Sequence, residues 1–400
     1  MTNNLSKLFY MKLYNEDHID EREILWQVDR WRAQQLVSPE QAEAIRQAFP
    51  KRFKEMNPFL ELGAFLFTVL AVMSLYGLVS IQFNVFDSDA SSLFGLISLT
   101  YAVGLLAFTR YTVANSQLCR NGTDNALLLL SASIGVWGIL SVIGSIRGTY
   151  PPFWVCMLVA LPVLLALIWY SGDVILSYLA LAAFYGFLFD RLIDFAWGQA
   201  ALPFVLMAAS GGLFWLVRRD PKRAYYSEAL GTVRWLSLGV LLAAGNYFVV
   251  RELNALLLDP IPATSPEIQL SGLFWLLTVG LPVAYLIAGI RYKSRMLLIL
   301  GTLGIAAAIA TVQHYVGTWP LSVFLAVTGA AVIGVAAALI RYLRHPHYGL
   351  TDVPDDEPPH ALVRHVGTLT TIQATANAQD QPHLRFGGGD FSGSGAGERY

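Results

Sequence analysis

The chain has 400 residues, of which 55% are hydrophobic and only 14% charged, and its net charge is −1. A soluble fold carries about a quarter charged residues, so this chain could not cover its apolar surface in water, and the bilayer is expected to be the solvent for most of it. The near-neutral balance excludes a bulk electrostatic pull toward nucleic acid. The two cysteines, Cys119 in a loop and Cys156 in an apolar run, exclude a disulfide framework.

Residues 1–57 are polar and charged, with no early apolar core or small-residue cleavage site. The first span is therefore expected to act as an uncleaved anchor. Within this segment, residues 19–36 place Ile24, Leu25, Val28, Trp31 and Leu36 at helical spacing, with charges on the other face. "VSPEQAEAI" follows. Ser38 suits an N-cap, Pro39 the first helical position, and Gln41 completes a capping box. Ala42, Ile45 and Phe49 form the apolar stripe of this second helix, which Pro50 and Pro58 limit. The two stripes predict a cytoplasmic helical hairpin. Its core is thin at under about sixty residues, so a second copy or the bundle itself is expected to complete the burial. Trp31, Ile45 and Phe49 are the candidate contacts for a homo-oligomer or protein partner.

Apolar runs long enough to cross about 30 Å of hydrocarbon follow at roughly 59–83, 92–109, 126–146, 152–170 and 174–190. Others lie at roughly 199–217, 232–250, 269–290, 296–313 and 320–340. The fourth and fifth are separated only by Ser171-Gly172-Asp173, where a glycine at positive φ would allow a tight reversal. Small residues at Ala208 and Gly212, at Gly304 and Ala308, and at Ala330, Gly334 and Ala338 read as helix–helix contacts. Lys and Arg gather in alternate loops: Arg46, Lys51, Arg52 and Lys54; Arg110 and Arg120; Arg218, Arg219, Lys222 and Arg223; Arg291, Lys293 and Arg295; Arg341 and Arg344. The other loops hold only Arg147, Arg191 and Arg251, so both termini are expected in the cytoplasm. Backbone groups in lipid must be satisfied within each segment. The expected fold is therefore all-α, a polytopic transmembrane bundle of about ten spans over 58–344, with the hairpin before it and a flexible, Gly-rich cytoplasmic tail over 345–400.

Ionisable residues are scarce inside the runs. Glu61 and Arg234 fall near span ends, and Asn246 with Tyr247 is read at mid-depth. Polar residues gather on the outer side: Asp190, Arg191, Asp194, Arg251, Glu252, Asp259, Glu267 and His314. Two readings stand. Asp190, Arg191, Asp194, Asn246, Tyr247, Arg251 and His314 line a polar pathway, with Asp190 or Asp194 pairing to Arg191 or Arg251, or they are solvated loop charges. A coupled carrier ordinarily has buried carboxylates near the midplane, and these are few. No catalytic, cofactor or metal constellation is found. His345, His347, Asp355, Asp356, Glu357 and His360 match no ligand spacing, and zinc-protease, nucleophile-elbow and phosphate-loop patterns are absent. In the tail, Phe391 and Tyr400 are candidate docking points.

The stretch "ILWQVDRWRAQQLVSPEQAEAIRQAF", followed by many apolar runs, resembles bacterial predicted multi-pass membrane proteins of the domain-of-unknown-function class. In these, a short helix, a "G-L-I-S-P-E-Q-A"-type turn and a second helix precede the spans. Gln35 stands where that pattern commonly has Gly. The resemblance covers about residues 22–60. It implies the bacterial inner membrane and a hairpin of the kind that mediates oligomerisation, and it transfers no catalytic residue. The expected role is a non-enzymatic scaffold or envelope-associated component. The alternative is a transporter or flippase-like carrier of a small or lipophilic substrate, and an intramembrane enzyme stands third.

Overall fold

A computed structural model describes residues 12–33, 36–49, 58–82, 91–116, 121–195, 197–218, 224–258, 262–317 and 320–343. The tail, with Phe391 and Tyr400, lies outside the described residues, as do Cys119 and Asp259. Every regular element among the described residues is helical. The chain begins with α1 (Glu16–Ala33) and α2 (Pro39–Ala48). The capping box closes as the sequence suggests: the Gln41 N–H donates to Ser38 Oγ at 3.2 Å, and the Ser38 N–H donates to Gln41 Oε1 at 2.9 Å. Val28 and Ala42 are fully buried, and Arg46 donates to Asp29 at 2.5 Å, so the two helices form a hairpin.

Long apolar helices follow: α3 (Pro58–Gln82), α4 (Ser91–Ser116), α5 (Gly122–Arg147), α6 (Phe153–Ser171), α7 (Val174–Ile193) and α8 (Gly198–Val217). A 3-10 turn (Ala224–Tyr226) leads into α9 (Ser227–Ala244) and the short α10 (Tyr247–Leu256). The chain then continues through α11 (Ser271–Arg291), α12 (Arg295–Val316) and α13 (Leu321–Leu343). Among the described residues eight helices are long and apolar enough to cross a membrane, and the bent pair of α9 and α10 raises the number to nine.

The helix α5 is the central element. Half of its span is buried inside the protein, against none for α3, and it packs on α3, α4, α6 and α7. Its closest neighbour is α4, where Gly95 and Gly138 face each other. A Cβ on Gly138 would stand 2.9 Å from the Gly95 carbonyl oxygen, and one on Gly95 would stand 2.9 Å from that of Gly138. Two missing side chains let the backbones meet, and dispersion between them takes the place of a hydrophobic drive that lipid cannot supply. Of the small residues read as contacts, Gly304 is one: a Cβ there would lie 2.8 Å from Pro282. Ala308 is buried beside it on α12. Among the described residues, a Cβ at Gly212 or Gly334 would meet nothing within 4 Å, so neither makes a contact there. Small residues permit close approach but do not select a partner.

The reversal between α6 and α7 is as read. Gly172 has φ 63°, its N–H donates to Ile168 O at 2.7 Å, and Asp173 caps α7 by accepting from the Leu176 N–H at 2.9 Å. The seventh apolar run corrects the sequence reading. It is not one continuous helix over 232–250, because the helix starts earlier and ends at Ala244, and α10 leaves it at 77°. The 18 residues of α9 rise about 27 Å, close to the hydrocarbon thickness. Asn246 therefore sits at the break between the two helices rather than within a continuous helix.

The hairpin is seated on the bundle. The Leu13 N–H donates to Tyr170 O at 3.0 Å and the Tyr14 hydroxyl to Asp124 Oδ2 at 3.2 Å. Leu13, Tyr14 and Ile19 are buried in one cluster with Leu128, Leu164 and Tyr225. Of the two surfaces expected to complete the thin hairpin core, the bundle supplies one. The start of α5, the end of α6 and the start of α9 therefore share the hairpin end of the molecule, and α10 lies at the far end.

Replacing Gly138 by Leu should cost about 1–3 kcal/mol through overpacking, whereas Gly104→Ala on the open face of α4 should be neutral or slightly stabilising. Thermal unfolding in detergent reads the difference, and equal melting temperatures for the two variants would contradict the crossing described.

Candidate functional site

The far-end site begins with how α10 starts. Any helix leaves its first four N–H groups without intrahelical partners. Here all four are satisfied. The Tyr247 N–H donates to Thr278 Oγ1 at 2.8 Å, and those of Phe248 and Val249 to Asn246 Oδ1 at 3.0 and 3.3 Å. The Asn246 N–H itself donates to Ala243 O at 3.1 Å. Thr311 Oγ1 lies 3.2 Å from Asn246 Oδ1 and 2.8 Å from Ala307 O, and its one proton can go to either. Residues of α10, α11 and α12 thus meet in a buried polar knot. Because its donors are spent, the start of α10 is a structural turn and not an open anion site.

One helical turn after Tyr247, Arg251 falls on the same face. Its Nη1 donates to Tyr247 Oη at 3.0 Å, and its Nε and Nη2 donate to Ser265 O at 3.1 and 2.6 Å. The guanidinium also lies 4.5 Å from the Tyr315 ring centroid, a cation–π contact. Glu252 accepts from the Ser265 hydroxyl at 2.6 Å and from the Tyr315 hydroxyl at 2.5 Å. Ser265 is therefore clamped from both sides, which fixes its loop over α10. Behind this group Tyr247 stacks on Trp275 at 4.8 Å, and His314 meets Tyr315 edge-on at 4.7 Å. In front of it is an open cleft of about 340 Å³ lined by Arg251, Glu252, Thr264, Ser265, His314 and Tyr315, with Ala263.

Of the residues read as a polar pathway, the structure brings Asn246, Tyr247, Arg251 and His314 to this one corner. Asp190, Arg191 and Asp194 form a separate group at the end of α7. There Arg191 pairs with Asp190 at 3.3 Å and Asp194 at 2.5 Å and lies over Trp154. The aspartates pair with Arg191 and not with Arg251. Ser265, Thr278, Thr311 and Tyr315 are parts of this corner that the sequence alone does not single out. The signal was weak: Thr311 and Tyr315 are four apart on one helix face, but hydroxyls in apolar helices ordinarily serve themselves. Ser98, Thr109, Ser177, Thr232 and Ser237 do so, each donating to the carbonyl four residues back at 2.6–3.0 Å. Among the described residues, the remaining buried polar side chains are Asn121, Asp124 and Asp173 near the hairpin end, Asn246, and Ser or Thr. Among the described residues no row of buried ionisable groups connects the two ends.

On the hairpin, Trp31 is 41% exposed and Leu36 68%, while Ile45 and Phe49 are half-buried. The outer side of α2 borders an open depression of about 510 Å³ lined by Arg32, Pro39, Glu40, Glu43, Ala44 and Gln47. Among the described residues no three His, Cys, Asp or Glu side chains converge as a metal site. No family model, curated protein or solved structure matches the chain.

Asn246→Ala removes the acceptor for two N–H groups and should cost about 1–2 kcal/mol. Asn115→Ala, exposed at the end of α4, should cost a few tenths at most. Chemical or thermal unfolding in micelles checks this, and a silent Asn246 variant would dissolve the knot as an explanation of the bend.

Proposed function

We propose that the chain is a non-enzymatic multi-pass protein of the bacterial cytoplasmic membrane, a scaffold or envelope-associated component that meets a protein partner through its N-terminal hairpin. One observation carries this reading. The hairpin is anchored to the bundle through Leu13, Tyr14 and Ile19, while Trp31 and the outer side of α2 are left facing outward. A cytoplasmic adaptor needs that division: one face to hold position and another to present. The basic loop residues support a cytoplasmic hairpin with both ends of the chain on that side. Arg46, Arg218, Arg291, Lys293 and Arg295 lie at the hairpin end, whereas the far end has Arg147, Arg191 and Arg251. The resemblance of about residues 22–60 to bacterial multi-pass membrane proteins with such a hairpin points the same way.

A second reading, a carrier for a small or lipophilic substrate, draws on the bend after Ala244 and the cleft beside it. The spent donors of α10 and the absence of a row of ionisable groups among the described residues weigh toward the scaffold.

Photo-reactive residues placed at Trp31, Ile45 and Phe49 should capture a second polypeptide in native membranes, which mass spectrometry identifies, a second copy of the chain included. The same probe at Phe67, exposed on α3, should capture lipid. If the hairpin positions give no more protein adduct than Phe67, the scaffold reading loses its support.

A further inference from the structure

We infer that the far-end cleft is a binding site for a small zwitterion, whose anionic group meets Arg251 and His314 and whose ammonium group meets Glu252. A guanidinium has five N–H donors. Three of those on Arg251 go to Tyr247 and Ser265, and among the described residues the other two have no partner. Each carboxylate oxygen of Glu252 accepts one hydroxyl, from Ser265 or Tyr315, which leaves a second acceptor position on each. The exposed His314 has ring contacts to Phe248 and Tyr315 but no hydrogen-bond partner among the described residues. The cleft therefore presents unused donors and unused acceptors side by side.

Charge decides the ligand class. A bare anion drawn to Arg251 would face Glu252, and a bare cation drawn to Glu252 would face Arg251. A ligand carrying both charges a few ångströms apart satisfies each at once. The two side chains are already fixed, because Ser265 accepts from Arg251 through its carbonyl and donates to Glu252 through its hydroxyl. A preorganised pair loses little freedom on binding. The volume of about 340 Å³ lies at the lower end of small-molecule sites. Two sources share this chemistry: a free amino acid, and the headgroup of a zwitterionic phospholipid. The exposed Phe248, Val249 and Leu256 place apolar surface on the same short helix, as a border with lipid would require.

Full-length protein in phosphatidylglycerol nanodiscs, titrated calorimetrically with L-alanine and with glycerophosphoethanolamine, tests the inference. Acetate and ethylammonium at equal ionic strength serve as single-charge controls. At least one zwitterion should bind saturably and at least tenfold more tightly than either control. Preference for L-alanine assigns the free solute, and preference for glycerophosphoethanolamine assigns the lipid headgroup. Glu252→Gln and His314→Ala, which leave the Arg251 clamp on Ser265 in place, should each weaken binding about tenfold. If neither zwitterion exceeds the controls, or if both variants bind as the parent does, the inference is overturned. The hairpin cross-linking does not bear on this outcome, so the two proposals can fail separately.

Discussion

Asn246 accepts hydrogen bonds from the N–H groups of Phe248 and Val249, and much of the far end follows from that fact. In hydrocarbon, an unsatisfied backbone group costs several kcal/mol, so a helix can break there only where side chains take over its donors. Asn246 takes two and Thr278 a third, with Thr311 closing the knot from the adjoining helix. The chain can then leave α9 at 77°. This turn carries Arg251 and Glu252 away from the bundle axis and onto Ser265 and Tyr315. Without it the same residues would continue an apolar helix, with a guanidinium and a carboxylate on its side.

The same accounting applies at the opposite end. Two short helices cannot bury enough surface alone, and the hairpin adds the bundle to its core. Tyr225 and Tyr226 donate to the carbonyls of Tyr170 and Trp169 at 2.5 and 2.7 Å. These are the last carbonyls of α6, which have no partner within the helix. Lys12 lies 4.5 Å from the centroids of both rings and pairs with Glu16, which covers the junction. Polar groups that the helix ends expose are thus matched by groups from the hairpin segment and from the start of α9. The result is a hairpin fixed on one end of the bundle and a polar cleft fixed on the other.

Much of this was legible in the sequence because it is local. The Ser38–Gln41 box, the glycine at 172 and most of the apolar runs depend on neighbours a few residues apart, and these are found where their spacing puts them. The bend was missed because hydropathy does not fall at "LAAGNYFVV": the residues on both sides of Gly245-Asn246 are apolar, and only an amide in that run marks the turn. Gly95 and Gly138 were missed for another reason. Their contact joins residues far apart in the chain, and each alone resembles any other helical glycine. Gly212 and Gly334 show the converse, small residues whose Cβ would meet nothing within 4 Å among the described residues. At the cleft, Arg251 and His314 could be named from sequence, but their partners Ser265 and Tyr315 are set by the turn and could not. The charges at 190–194, close to the same level in a chain-order reading, pair only among themselves.

Placement of the hairpin and the cleft on opposite sides of one membrane is the claim on which the rest stands. Single cysteines at Ala44 and Thr264, introduced with Cys119 and Cys156 replaced by Ser, report it directly through labelling with a membrane-impermeant maleimide in intact cells. Thr264→Cys should label from outside without permeabilisation, and Ala44→Cys only after it. Labelling of both positions under the same condition would contradict the account.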